Sequence, residues 1–222
     1  MKQTGQCLVS CIPVRADASS RSEIVTQLLY GETYSIREQK DDWYVITTHF
    51  DQYSGWISAN QHSEPSFEPK SIQNKSLFEQ RNGIIIPFGS YWTEESNSDL
   101  TPIEASKIFL NCPYLWGGRT FMGIDCSGFM QVIHKACGKK LPRDASQQAE
   151  ICNRIDFGER KAGDLAFFKN GDGKITHVGL LLDKDRIVHA SGKVRIDELT
   201  NQGIIHSETK IRTHILECVA RL

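Results

Sequence analysis

Between Asn111 and Gln131 the chain reads Asn-Cys-Pro-Tyr-Leu-Trp-Gly-Gly-Arg-Thr-Phe-Met-Gly-Ile-Asp-Cys-Ser-Gly-Phe-Met-Gln, and few backbones accommodate such a run. A glycine-rich aromatic loop has to end at Asp125-Cys126-Ser127, because helical spacing takes over from there. Phe129, Val132, Ile133 and Ala136 stand at i, i+3, i+4 and i+7, and Gly138 supplies a stop. Cys126 therefore falls in the first turn of a helix. Unpaired N–H groups and the positive end of the helix dipole favour thiolate over thiol there, so its pKa is expected below the ordinary value of about 8.5. Gly128 is expected to leave room for a ligand's backbone. A nucleophilic thiol needs a base, which directs the search to histidines downstream.

Two of them stand in strand-like apolar runs, Thr176-His177-Val178-Gly179-Leu180-Leu181-Leu182 and Arg186-Ile187-Val188-His189-Ala190-Ser191. A three-residue loop at Asp183-Lys184-Asp185 puts both side chains on one face of the hairpin, because pairing parity decides which positions agree. His177 then lies opposite Ser191 or, one register over, opposite His189, close enough for the rings to hydrogen-bond. A base oriented by a second polar group and aimed at a thiol on a helix N-terminus is the logic of a cysteine triad. The remaining histidines, His49, His62, His134, His206 and His214, read as surface or structural.

Around this centre the chain divides into three parts. Residues 1–62 alternate short apolar runs with turn signals such as Asp-Ala-Ser-Ser and Lys-Asp-Asp, the pattern of a small all-β barrel. Residues 63–99 begin as a polar linker through position 75 and continue into the apolar 83–92, read as an interdomain brace. Residues 100–222 open with a capping box, Thr101-Pro102-Ile103-Glu104, pass through the cysteine helix and a short helix capped by Asp144, and end in strands that include Gly163-Asp164-Leu165-Ala166-Phe167-Phe168. Helices first and an antiparallel sheet after them make an α+β domain.

Composition narrows the function classes. The chain has 222 residues with 26 basic against 27 acidic side chains and a pI near 6.7, which carries no footprint for nucleic acid or acidic membrane. A small substrate is expected, with no membrane partner, since no apolar run approaches spanning length. Cys7, Cys11, Cys112, Cys126, Cys137, Cys152 and Cys218 are odd in number and contain no Cys-x-x-Cys pair, which argues against a disulfide framework and a zinc site. Reduced thiols and a start without a signal-like core point to the cytoplasm, the alternative being an exported protein whose signal has been trimmed.

The spaced motifs carry a resemblance. Tyr114-Leu-Trp-Gly-Gly-Arg, Asp125-Cys-Ser-Gly-Phe, Leu141-Pro-Arg-Asp, Gly163-Asp-Leu, His177-Val-Gly and His189-Ala, in that order across roughly 100–222, resemble the NlpC/P60 family of papain-like cysteine peptidases. Pro13-Val-Arg, Gln27-Leu-Leu-Tyr-Gly-Glu, Trp43-Tyr-Val and Gly55-Trp-Ile in the first part resemble a bacterial SH3-like domain. The resemblance implies a papain-like catalytic domain with Cys126 as nucleophile, His177 as general base and acid, and His189 as the third member that orients the imidazole. It implies an oxyanion site from the Tyr114 hydroxyl and N–H groups near Cys126. A substrate groove would be lined by Trp116, Asp125, Ser127 and the segment Arg143, Asp144, Ser146, with Glu32 and Tyr53 of the barrel meeting the substrate's free amine. It further implies a γ-D-glutamyl-L-diamino acid endopeptidase that cuts murein peptides through a thioester, with no cofactor and no metal. The rival readings are an acyltransferase on the same frame and a catalytically idle cell-wall-binding protein. Members of this kind often carry two full SH3-like domains, whereas this chain has room for one and a fragment.

Overall fold

The computed structural model describes residues 3–73, 76–93 and 100–222. Six strands open the chain, β1 (Thr4–Gln6), β2 (Cys11–Arg15), β3 (Ile24–Leu29), β4 (Thr33–Lys40), β5 (Trp43–Thr48) and β6 (Ser54–Ser58). They pair antiparallel in the order β1-β4-β5-β6-β2-β3. Period-two alternation explains the barrel: Ile12 and Val14 of β2 turn inward and join Cys7, Leu28, Tyr34, Ile46 and Ile57 in a small core. Leu29, at the end of β3, belongs instead to the larger core of the second domain.

The expected polar linker is strapped to the barrel. Buried Gln6 accepts hydrogen bonds from the Ser66 and Phe67 N–H groups at 2.9 and 3.3 Å and donates to the Phe67 carbonyl at 3.1 Å. The strands β7 (Ser71–Ile72), β8 (Phe78–Arg81), β9 (Ile84–Pro87) and β10 (Tyr91–Trp92) come next, β8 pairing with β9 and β10 with β7. Phe88, just after β9, is buried in one cluster with Leu29 of the barrel and meets Phe109 edge to face at 5.2 Å. That gives the brace its physical content. Residues 74–75 and 94–99 of the expected linker and brace lie outside the described residues.

The second domain places α1 (Pro102–Ile108), β11 (Arg119–Thr120), β12 (Gly123–Ile124), α2 (Cys126–Ala136) and α3 (Ala145–Ile151) ahead of its sheet. The capping box at α1 is formed, with Thr101 Oγ1 accepting from Glu104 N and Glu104 Oε2 from Thr101 N. The sheet consists of β13 (Asn153–Ile155), β14 (Leu165–Lys169), β15 (Ile175–Leu181), β16 (Arg186–Ser191), β17 (Lys193–Thr200), β18 (Gly203–Ile205) and β19 (Arg212–Arg221). Because β19 pairs with both β14 and β18, the last six strands close into a ring and β13 lies outside β19. One face, with Leu165, Phe167, Val178, Leu180 and Val188, packs against Phe129, Val132 and Ile133 of α2. The other turns Ala166, Phe168, Leu181, Ile187, Leu199 and Ile204 into the ring.

A buried ionic cluster joins the two domains. Glu32, between β3 and β4, binds Arg119 of β11 at 2.8 and 3.0 Å and Lys135 of α2 at 2.6 Å, and accepts the Leu29 N–H at 2.9 Å. All three charged side chains are about 2 % exposed or less. Burial pushes the Glu32 carboxyl up, but the Arg119 and Lys135 charges outweigh it and bring the group down to about 2. Glu32 is thus fully neutralised at the interface and has no capacity left for a substrate ammonium, which corrects the role expected for it. Removing it would strand two buried cations, so Glu32→Ala should lose about 3–5 kcal/mol of stability. Urea denaturation monitored by tryptophan fluorescence measures this, and a loss below about 0.5 kcal/mol, the level of an ordinary surface substitution, would contradict it.

Candidate active site

Cys126 begins α2, and the loop before it is held by a dense set of hydrogen bonds. Asp125 caps the helix: its Oδ1 accepts from Gly128 N at 2.7 Å and from the Ser127 hydroxyl at 3.3 Å, and its Oδ2 from Gly117 N at 2.8 Å. Buried Arg143 grips the same carboxylate at 3.0 and 2.5 Å, donates to Ser127 Oγ at 2.9 Å and reaches the Thr26 hydroxyl of the barrel at 2.9 Å. Gly117 has φ +76°, and a Cβ there would come within 2.1 Å of the Ile24 carbonyl oxygen, so only glycine lets this loop close on β3. The space beside Gly128 is taken by the Gly118 carbonyl, 2.5 Å from where its Cβ would sit, so this glycine serves loop packing rather than the ligand access expected of it.

The sulfur lies against β15. Cys126 Sγ is 3.9 Å from the Thr176 carbonyl oxygen, and the Val178 and Ser127 N–H groups also bear on it. His177 stands between those two strand neighbours. Gly179 pairs with His189, a register that sets His177 opposite Ser191 and makes the two imidazoles diagonal neighbours on one face. His177 Nε2 and His189 Nδ1 are 2.8 Å apart.

Two residues of β17 complete this line and were missed from the sequence. Asp197 Oδ2 meets His189 Nε2 at 3.0 Å and Arg195 Nε at 2.9 Å, and Ser207 N–H donates to its Oδ1 at 2.8 Å. Burial opposes ionisation of Asp197, but these donors prevail and keep it a carboxylate, well below its ordinary range. A carboxylate only accepts, so His189 carries its proton on Nε2, its Nδ1 accepts from His177 Nε2–H, and the lone pair of neutral His177 is left on Nδ1. The alternation Val194-Arg195-Ile196-Asp197 beyond the Gly192 turn carried the signal, since it repeats the parity that joined the histidines.

Of the five histidines read as surface or structural, His134 is structural and His214 stands beside the catalytic line. His134 is buried, its Nδ1 2.8 Å from the Met130 carbonyl, and the His214 ring stacks on His177 with centroids 4.1 Å apart. His177, His189 and His214 each have a nitrogen within 4.8 Å of the others. The His177–His189 hydrogen bond directs two of those nitrogens at each other, which suits proton handling better than convergence on an ion.

Above Cys126 lies a cleft of about 310 Å³. The second domain contributes Trp116, Asp125, Ser127, Arg143, Asp144 and Ser146. The barrel contributes Tyr53, whose hydroxyl donates to Asp144 at 3.4 Å, together with Glu23 and Val25, which the sequence motifs did not single out. Trp116 Nε1 donates to Glu23 Oε1 across the domain boundary. Glu32 does not line this cleft.

Residues 111–213 match the NlpC/P60 family, and residues 14–61 match the bacterial dipeptidyl-peptidase SH3 domain. The chain is a cysteine peptidase that carries an NlpC/P60 domain behind a bacterial SH3 domain. It is similar to the γ-D-glutamyl-L-lysine dipeptidyl-peptidase of Bacillus subtilis, at 29% identity over 75% of this chain and 72% of the relative. A protein of the same name from Bacillus cereus is 26% identical over 89% of this chain and 77% of that one. The crystal structure of an NlpC/P60 family protein from Bacillus cereus shares the fold end to end, with a TM-score of 0.73 at 18% identity and 99% of both chains covered.

In this peptidase the resting charges differ from the sequence expectation. Burial, reinforced by Asp125, pushes the Cys126 thiol up to about 12, against the smaller influence of the Val178 and Ser127 N–H groups and Arg143. The helix N-terminus is therefore overridden by desolvation. Burial, with the His189 and His214 charges, draws His177 well below its ordinary value. Both shifts favour a neutral thiol beside a neutral imidazole at pH 7. Tyr114, raised to about 12 by burial and by the Cys126 and Asp125 charges, keeps its phenolic proton and remains a donor. The ultraviolet thiolate absorbance that distinguishes wild type from Cys126→Ala should accordingly be absent at neutral pH and emerge only in alkaline solution. Thiolate absorbance already present at pH 6–7 would show an ion pair instead.

Proposed function

We propose that this peptidase hydrolyses the bond between γ-D-glutamate and an L-diamino acid in short murein peptides with a free amino terminus. The observation that supports this most is the barrel's wall on the cleft. Glu23 and Asp144 bring two carboxylates to one small space beside Trp116 and Tyr53. A terminal ammonium is neutralised in such a space, and a peptide still joined to glycan through that nitrogen brings none. Burial raises the Asp144 carboxyl, and a cation docked beside it would favour its charged form. The amine-binding role expected of Glu32 passes to Glu23.

The chemistry rests on the tautomers. His177 Nδ1 takes the thiol proton as Cys126 Sγ attacks the γ-carbonyl carbon, and His189, held by Asp197, accepts the hydrogen bond from His177 Nε2 and steadies the imidazolium. The tetrahedral oxyanion is met by the Tyr114 hydroxyl and N–H groups near Cys126. Collapse breaks the C–N bond, His177 gives its proton to the departing amine, and a thioester remains. Water, deprotonated by His177, then releases the L-Ala-D-Glu acid and the free thiol.

A charge-assisted hydrogen bond to the ammonium is worth roughly 1.5–3 kcal/mol, about tenfold to a hundredfold in kcat/KM. L-Ala-γ-D-Glu-L-Lys should therefore be cut faster than its N-acetyl form by about that factor, and Glu23→Gln should narrow the gap. Chromatography with mass spectrometry reads both. Equal cleavage of the two peptides by wild type would overturn the free-amine reading, and transfer to an added amine without hydrolysis would favour the acyltransferase.

A further inference from the structure

One imidazole beside the catalytic line has no part in the chemistry above. His214 lies on β19, where Ile204 pairs with His214 and Ile205 with Arg212, so Thr213 is an extra residue in the strand. A bulge of this kind re-aims the side chains next to it. Paired positions share a face, and Ile204 turns into the ring of strands, so His214 turns into it as well. There it meets His177 of β15 and His189 of β16.

What His214 covers is one face of the base. Its ring lies over that of His177 with centroids 4.1 Å apart and planes 24° apart, whereas His189 meets His177 edge-on, at 5.0 Å and 86°. Phe168, opposite His177 on β14, is tilted against the same ring at 5.7 Å. The Thr213 hydroxyl stands 2.8 Å from His214 Nδ1 and steadies its plane. His214 does not line the cleft, so whatever it contributes passes through His177.

Two consequences follow for the base. Turning the His177 ring over would exchange the sides of Nδ1 and Nε2 and break the 2.8 Å bond to His189, and the stacked ring with Phe168 stands in the way of that turn. When His177 takes the thiol proton, the imidazolium forms against the π face of its neighbour, and a neutral aromatic face attracts a cation most where water is excluded. A charged His214 would instead repel it. Burial draws His214 down to about 4, which leaves its ring neutral at pH 7.

We infer that His214 is a positioning residue for the base: as a neutral stacked ring it holds His177 with Nδ1 free for the thiol and favours the imidazolium that forms when Cys126 attacks. The inference rests on His177 being that base. No bond to His214 is made or broken, and the proton passes only from Cys126 Sγ to His177 Nδ1.

The test compares wild type with His214→Phe, which keeps a flat π face, with His214→Leu, which fills the space without one, and with His177→Ala. Hydrolysis of L-Ala-γ-D-Glu-L-Lys gives kcat and KM. Iodoacetamide alkylation of Cys126 at pH 7, followed by peptide mapping, reads the base with no peptide bound. A desolvated cation over a ring is worth about five- to thirtyfold, so His214→Leu should lower kcat by that factor and slow alkylation, with KM and the unfolding temperature little changed. His214→Phe should recover most of both rates. Wild-type rates in His214→Leu, or equal losses in His214→Leu and His214→Phe, overturn the positioning role and leave His177 as the base. Alkylation of His177→Ala as fast as wild type overturns the base assignment and the positioning role together.

Discussion

The buried contact of Glu32 with Arg119 and Lys135 is what the rest of the structure depends on. It takes one residue from the barrel, one from the strand after the glycine loop and one from the cysteine helix, and it ties the position of each to the other two. A buried charge pair is expensive to form and more expensive to break, so such a cluster specifies geometry more than it adds net stability. Its consequence here is registration. Arg119 also donates to the Gln27 carbonyl at 2.5 Å and its N–H to Gln27 Oε1 at 2.7 Å, which fixes β3 against the loop that delivers Cys126. Glu23, Val25 and Tyr53 then stand over the nucleophile because the barrel has no freedom to turn away.

A second polar line runs from Arg195 through Asp197 and His189 to His177. One carboxylate decides two tautomers along it, and each member is positioned by the closed ring of strands rather than by a loop. Rigidity of this kind suits a base that must present its lone pair to a thiol without help from a preformed ion pair. Burial raises the Cys126 thiol, and a protonated, shielded thiol is a poor target for adventitious oxidation, a reaction that tracks thiolate character and exposure.

Much of this was legible in the sequence where periodicity carried it. The start of α2 at Cys126 came from apolar spacing and the Gly138 stop, the capping box from Thr101 and Glu104, and the shared face of His177 and His189 from loop parity. Three strands were recognised and four more were not, because β17 and β19 carry Arg, Glu, Thr and His at positions that a closed ring partly buries, so their alternation reads as polar. Glu32 was assigned to substrate on its motif position, and nothing local could reveal that Arg119 and Lys135, about ninety and a hundred residues later, would neutralise it. Glu23 was passed over for the converse reason: its neighbours form an ordinary turn, and only the packing of Gly117 against Ile24 brings it to the cleft. The raised thiol was missed because helix-terminus electrostatics can be read along the chain, whereas burial cannot.

On the proposed function, a cleft walled by both domains delivers a γ-glutamyl carbonyl to Cys126. Acid quench of the protein during turnover of L-Ala-γ-D-Glu-L-Lys, with intact-mass measurement and peptide mapping afterwards, tests it most directly. A covalent L-Ala-D-Glu acyl adduct is expected on Cys126 alone, absent from Cys126→Ala. An adduct on another cysteine, or turnover by Cys126→Ala, would contradict it.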